Sequence, residues 1–556
     1  MAAKPFSLSL PERMIEAAER GGVVHFISGD EVATASWSEL LDDALRLAGV
    51  LTSRGVGPGA HVAVLGTTSR MLTTTIEATW LCGATVMVLP LPMRLASVDE
   101  FVTQTRRRIL AGDTTLLVVD DDLAAFYEAA PGDPPIALMK ELFGEALAHR
   151  SDTFDIPAID PDSLAVLQFT SGSTADPKGV MLPHRTVLAN LDGASSAARI
   201  NGDDVAVSWL PLYHDMGLIG LFTLPLVNGI DLVLASPQDF MASPERWLDW
   251  ISRFGGTATA GPNFSYALAA RALRRASGLD LSSWRLALNG AEPVNPDTVR
   301  DFCTAGAPFG LRADAAFPAF GMAELAIAGT FPEPGSGLRV DTVDCRVIES
   351  ERFAPPVADD HADGARAFAR LGKPIPGLEI RITDTSSGSA MSEREVGELE
   401  IRGTSVTPGY YKRPEDTAAT FNGEWLRTGD LGYTLDGELV LCGRIKDVII
   451  VGGRNVFPED VERAAERVDG VRAGNVIAFS IVSDRGKERL VVVAETKADD
   501  IGSMRADVSK RVQESVGLPT DDVVLVGPGT LPKTSSGKLQ RSLCRTRYES
   551  DQLEAV

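Results

Sequence analysis

The segment LQFTSGSTADPKG, residues 167–179, constrains this chain more than any other. Residues 164–169 form an apolar run that reads as a buried strand, and the run passes directly into a loop of hydroxyls and glycine that closes on a lysine. Hydroxyls, backbone N–H groups and an ammonium gathered in one loop can cradle a polyphosphate. It is not a Walker loop, because Pro177 stands where the second glycine belongs and Gly179 replaces the Ser or Thr that would hold magnesium. Taken alone, the cluster also fits a plain surface loop, so the rest of the chain has to decide between the two.

The whole chain narrows the choice. Its 556 residues are too many for one core of ordinary size, which predicts two or more lobes. Hydrophobic residues at 44% and charged residues at 23% give the balance of a soluble globular protein. A formal net charge of -23 argues against a nucleic-acid partner, which needs a cationic stripe. Any anionic ligand must therefore meet a local basic site. Cys82, Cys303, Cys345, Cys442 and Cys544 stand singly, with no metal-ligand spacing, and read as reduced cytosolic thiols. Residues 1–10 lack the apolar core of a signal peptide, so a cytoplasmic protein is expected. Residues 71–93 are the most apolar stretch, but they contain Glu77 and two prolines; a helix running into a buried strand is expected there, not a membrane span.

Ser36 and Glu39 form a capping box ahead of Trp37, Leu40, Leu41, Ala44, Ala48 and Leu51 at helical spacing. The glycine-rich residues 54–59 follow that helix and precede the strand 61–65. A dinucleotide loop has the opposite order, so this one is a turn. Further strands are expected at 232–235 and 286–288, with helices at 244–254 and 265–275. Strands alternating with helices imply an α/β fold with a largely parallel sheet and ligands at the carboxyl ends of its strands. Near the end, strands at 448–451, 476–479 and 490–495 with helices at 458–468 and 504–516 form a compact α+β unit. The boundary is placed close to Gly443, giving domains 1–443 and 444–556.

Six more segments complete the picture. They are WLPLYHDMG around His214, LNGAEP at 288–293, FGMAE at 320–324, RTGD at 427–430, GRIKD at 443–447 and LPKTSSGK ending at Lys538. In this order, behind the 167–179 loop, they resemble the adenylate-forming superfamily of acyl-CoA synthetases, fatty acyl-AMP ligases, nonribosomal adenylation domains and luciferases. The resemblance implies an acyl-CoA synthetase-like fold, in which 1–443 is the AMP-binding adenylation domain and 444–556 a small mobile lobe. It also implies that Thr170, Ser171, Gly172, Ser173, Thr174 and Lys178 hold the phosphates of ATP, and that Gly290, Ala291, Glu292, Phe320, Gly321 and Met322 flank the adenine. By the same resemblance Asp430 and Arg444 take the ribose, Lys446 is the hinge, and Glu324 holds Mg2+. His214 would lie beside the carboxylate channel, and Lys538 would bridge carboxylate and α-phosphate.

The chemistry accounts for such a set. A carboxylate attacks an anionic phosphate poorly, so adenylation depends on positioning and on cations. Within the superfamily the details resemble the fatty acyl-AMP ligases. Ala323 stands where many acyl-CoA synthetases have threonine, and the segment holding Asn263, Phe264 and Tyr266 resembles an acyl pocket. An apolar tunnel there would gain about 0.8 kcal/mol per buried methylene. Residues 325–371 form a long stretch rich in Pro, Asp and Ala, read either as a mobile surface loop or as the insertion that restrains the small lobe in those ligases and disfavours coenzyme A. The expected reaction makes an acyl-adenylate from a medium- to long-chain fatty acid and passes the acyl group to the phosphopantetheine thiol of an acyl carrier protein. Coenzyme A, as in an acyl-CoA synthetase, is the alternative acceptor. Lys533, Lys538, Arg541, Arg545 and Arg547 cluster near the carboxyl terminus and are a candidate carrier-docking patch, set against an ordinary solvated face. A serine hydrolase is excluded for want of a Gly-x-Ser-x-Gly elbow, and a protein kinase for want of His-Arg-Asp and Asp-Phe-Gly segments.

Overall fold

The computed structural model describes residues 9–92, 98–169, 177–358, 364–451, 454–482, 488–498, 501–533 and 538–556. The local expectations translate into elements. Ser36 accepts a hydrogen bond from the Glu39 N–H while the Glu39 carboxylate accepts from the Ser36 N–H, and the helix Trp37–Ser53 follows. The apolar stretch after Arg70 is the helix Arg70–Leu81 running into the buried strand Thr85–Val88. Among the described residues no helix is long and apolar enough to cross a membrane.

Two compact bodies emerge. The first comprises Met1–Leu338, Leu371–Glu379 and Arg402–Glu424. It holds two large sheets. One has six strands, in the order Ile136–Leu138, Leu116–Val119, His61–Leu65, Thr85–Val88, Leu164–Phe169, Gly179–Pro183. These run parallel except for the last pair, which is an antiparallel hairpin around the 170–178 loop. The other has seven strands, in the order Ala316–Pro318, Leu286–Asn289, Ala258–Gly261, Val205–Ser208, Asp231–Leu234, Val23–Ser28, Glu31–Ser36. It is parallel but for the closing hairpin. Parallel strands must be covered on both faces, which is why Val62, Val64, Val86 and Val166 of one sheet and Leu232 and Leu234 of the other lie in one continuous core with the helices around Trp37 and Trp80.

A carboxyl group is buried beside that core. Glu77 is 1% exposed, and its Oε1 has no hydrogen-bond partner among the described residues. Burial, with a smaller contribution from Asp43, pushes its pKa up from 4.5 to about 8. Between those two values the folded protein keeps a proton that the unfolded chain releases, so stability falls as pH rises through that window. Glu77→Gln removes the dependence. Its stability advantage over the parent, read from urea denaturation at pH 5 and pH 8, should widen by about 1.4 kcal/mol per pH unit within the window. A constant difference would show that Glu77 is ionised throughout.

The second body comprises Arg339–Arg370, Ile380–Ile401 and Trp425–Val556. It takes in the expected α+β unit, with the sheet Val471–Val482, Glu488–Thr496, Asp522–Val526 packed on the helices Pro458–Glu466 and Met504–Val516. It also takes in segments that precede Gly443. Val343, Cys345, Ile348 and Phe368 share a buried cluster with Tyr433, Val440, Cys442 and Phe457. The described part of 325–371 is accordingly not a structureless loop: Val340–Asp344 pairs antiparallel with Ala365–Ala369, and the helix Cys345–Glu351 lies between them.

Candidate functional site

Four neighbouring parallel strands of the seven-stranded sheet end on the same edge, and a motif singled out in the sequence leaves each of them. Val205–Ser208 leads to His214, Ala258–Gly261 to Asn263 and Phe264, Leu286–Asn289 to residues 290–292, and Ala316–Pro318 to residues 320–324. The carboxyl edge of a parallel sheet is where strand-to-helix loops converge and leave room for a ligand. The loops brace one another there. The Glu292 carboxylate accepts from the Phe264 N–H at 2.7 Å, and Asn263 Oδ1 accepts from Asn289 Nδ2 at 3.2 Å and from the Asn295 N–H at 3.1 Å. Ala291 holds φ +68, a left-handed conformation that is uncommon for a residue with a Cβ. A Cβ at Gly321 would stand 2.0 Å from the Ile327 carbonyl oxygen, so only glycine lets the chain fold back there. Met322 continues the same return, its N–H donating to the Ile327 carbonyl at 2.9 Å.

His214 sits in a turn that opens into the π-helical segment Met216–Thr223. Its Nδ1 lies 2.5 Å from Asp215 Oδ1 and its side chain is largely buried. Wide helical turns of this kind recur at functional sites. Phe320 is buried in the strand Phe320–Gly321, while Phe264 packs edge-on against Trp209. Tyr266 belongs to the core: its hydroxyl donates to the Leu288 carbonyl at 2.7 Å, and its ring packs on Trp247 and Phe302. It supports the loop edge from below.

Thr170, Ser171, Gly172, Ser173 and Thr174 lie outside the described residues. Lys178, at the end of that loop, is described and is only partly exposed. Its Nζ is 2.6 Å from Asp416 Oδ1 and stands over the Tyr410 ring, 5.3 Å from the centroid. The Tyr410 hydroxyl in turn donates to Glu324 Oε1 at 2.8 Å. Burial, then the Glu324 charge, raises the Tyr410 pKa, so this phenol stays a donor. Backbone pairing fixes the arrangement. Tyr411 N–H donates to the Gly179 carbonyl, Met181 N–H to that of Gly409 and Thr407 N–H to that of Glu324. One segment, residues 407–416, thus holds the loop lysine and the Glu324 carboxylate together. Neither Tyr410 nor Asp416 carries a local sequence signal for this; their partners are 86 and 238 residues away.

In the second body, the Thr-Gly-Asp turn is built from its own strands. Glu398, buried, accepts from Arg427 and from the Gly429 N–H, and the Thr428 hydroxyl donates to the Leu399 carbonyl. Gly429 takes φ +70. Asp430 is thereby held inside, with Oδ1 accepting from Arg444 Nε at 2.8 Å. Burial raises its pKa, and Arg444 and then Lys446 pull it back down. Lys446 lies in the short turn Ile445–Asp447. Lys538 precedes the helix Arg541–Glu549, and Arg541 of that helix is not on the surface as a docking patch requires: Asp447, Glu459 and Glu462 surround it. Arg545 is paired with Glu549.

Comparisons with known proteins point one way. The family described as AMP-binding enzyme matches residues 15–411, and a Disco-interacting protein 2-like AMP domain matches residues 446–556. A ligase of Mycobacterium tuberculosis is 40% identical over 91% of this chain and 93% of its own. The medium-chain-fatty-acid–[acyl-carrier-protein] ligase JamA of Moorena producens is 38% identical over 72% of this chain and 70% of its own. A structure from studies of fatty acyl-adenylate ligases from E. coli and L. pneumophila superposes with a TM-score of 0.90 at 29% identity, covering 98% of both chains.

Proposed function

We propose a reaction from one premise: this chain belongs to the AMP-binding enzyme family. It is an ATP-dependent, acyl-adenylate-forming ligase that activates a medium- to long-chain fatty acid and transfers the acyl group to an acyl carrier protein. The observation that carries the reading is the meeting of the four strand-end motifs on one sheet edge, together with the Lys178–Tyr410–Glu324 cluster. In the first step a carboxylate oxygen of the fatty acid bonds to the α-phosphorus of ATP and the bond to pyrophosphate breaks. Lys178 draws the leaving phosphates once they displace Asp416 from it, and Lys538 neutralises the carboxylate and α-phosphate as they approach. Asp430 accepts hydrogen bonds from the ribose hydroxyls, with Arg444 beside it. The adenine lies between residues 290–292 and 320–322. His214 borders the path of the carboxylate, and Asn263 and Phe264 begin the acyl channel.

Glu324 fits Mg2+, since a single partly exposed carboxylate plus substrate phosphates is the ligand set this ion accepts. Bound there, the ion would neutralise charge on the departing pyrophosphate; Tyr410 keeps the carboxylate oriented. In the second step a phosphopantetheine thiol on the carrier attacks the acyl carbonyl and AMP leaves. Residues 444–556 form the mobile lobe and turn about Lys446 between the steps. The segment 339–370 acts as the restraining insertion; what supports this is its contact with the start of that lobe, where Arg366 pairs with Asp460 at 2.8 Å and Arg454 with Glu349 at 2.6 Å. Five unpaired cysteines support a cytoplasmic setting.

The acceptor is tested with ATP, magnesium and labelled fatty acid, offering coenzyme A or a phosphopantetheinylated carrier. Label should reach the carrier and stop at acyl-AMP with coenzyme A. Equal thioester formation with coenzyme A would make the chain an acyl-CoA synthetase.

A further inference from the structure

We propose that Arg541 is a positioning residue that ties the loop carrying Lys538 to the turn carrying Lys446, so that the two travel as one piece. The proposal rests on the reading of Lys538 as the group that meets carboxylate and α-phosphate. Arg541 opens the helix Arg541–Glu549, just beyond Lys538. Its Nη1 donates to Asp447 Oδ2 at 2.9 Å, and Asp447 closes the turn Ile445–Asp447. Its Nη2 donates to Glu462 Oε1 at 2.9 Å, with Glu459 Oε1 at 3.7 Å. Glu462 Oε1 also accepts from the Ala478 N–H, so this anchor is itself fixed to the strand Val471–Val482 of the small lobe.

The lysine loop is pinned at its base as well. Lys533 and Leu539 form an isolated antiparallel bridge, and the Gln540 N–H donates to the Pro532 carbonyl at 2.8 Å. Pro532 and Lys533 are therefore tied to Leu539 and Gln540, next to Lys538, and the Arg541 guanidinium joins that point to both the turn and the helix Pro458–Glu466. An arginine suits the task because its planar fork holds donors at fixed angles, so two partners in different elements fix a relative orientation; an ammonium fixes only a distance. Arg541 is inside the protein, with its side chain 20% exposed, and packing alone would need no partner at the hinge turn. Its bond to Asp447 is the one that carries a change at Lys446 to Lys538.

The test is ATP–pyrophosphate exchange by the full-length protein carrying Asp447→Asn or Arg541→Lys, each alone and combined with Lys538→Ala. Asp447→Asn spares the charges of the Arg541, Glu459 and Glu462 cluster, and Arg541→Lys keeps the cation while removing the fork. Each should lower kcat on the order of ten- to a hundredfold, the cost of a small misplacement of a reacting group. KM for ATP should hold, which separates the effect from any disturbance of neighbouring Asp430. Neither should lower the residual rate of Lys538→Ala further, because Arg541 acts through that lysine. Parental kcat in both variants, or the same fall in both backgrounds, overturns the proposal. If Lys538→Ala by itself leaves exchange intact, the role given to Lys538 is wrong and the proposal falls with it, a result distinct from the other two.

Discussion

Lys538→Ala should lower ATP–pyrophosphate exchange by about a hundred- to a thousandfold, the range seen when one preorganised donor is removed from a developing charge. The expectation follows from electrostatics. Fatty acid and α-phosphate are both anionic, and their approach in a site that excludes water is opposed unless a cation lies between them. Lys178 does not substitute in this reading, because its proposed part is with the leaving phosphates and not with the carboxylate. Binding of ATP, followed by calorimetry, should change little, since the groups proposed for adenine and ribose do not include Lys538. A loss of binding equal to the loss of rate would make Lys538 a uniform binding group. A rate unchanged from the parent would remove it from the chemistry.

Arg366→Met should destabilise the second body by about 3–5 kcal/mol, the cost of leaving one member of a buried ion pair alone. Arg366 and Asp460 have side chains only 7% and 16% exposed, and the guanidinium also lies over the Phe368 ring, 4.2 Å from its centroid. Removing it leaves the largely buried Asp460 carboxylate without its ion-pair partner, with Arg463 of the same helix as the next cation. The remedy distinguishes this cause from simple loss of packing. Arg366→Met combined with Asp460→Leu should recover most of the stability in urea denaturation, because an apolar pair of similar volume carries no desolvation cost. Additive losses in the double variant would mean that the pair is not what holds residues 339–370 to the helix Pro458–Glu466.

Much of the architecture is legible locally. The Ser36–Glu39 capping box, the strand Leu164–Phe169 and the helix Met504–Val516 fall where side-chain spacing places them. Such elements are determined by contacts a few residues apart, and periodicity reports those contacts faithfully. The stretch 325–371 was less legible. Its Pro, Asp and Ala content resembles a loop, yet Val343, Ile348 and Phe368 find a shared apolar cluster with residues near 433–457, and burial overrides composition. Arg541 reads as a surface cation in a basic run for the same reason: a linear sequence does not record that three carboxylates wait for it inside.

The sequence by itself determined the elements and the kind of chemistry, because hydroxyls, a lysine, a glutamate and an aspartate in ordered motifs can serve only a few reactions. The tertiary structure alone decided which charges neutralise each other and which groups are buried. Lys178 meets Asp416, and Glu324 meets Tyr410, across 238 and 86 residues of chain. The energy of a charge depends on its distance to partners and to water, and both are set only when the sheet edge and the loops around it have closed.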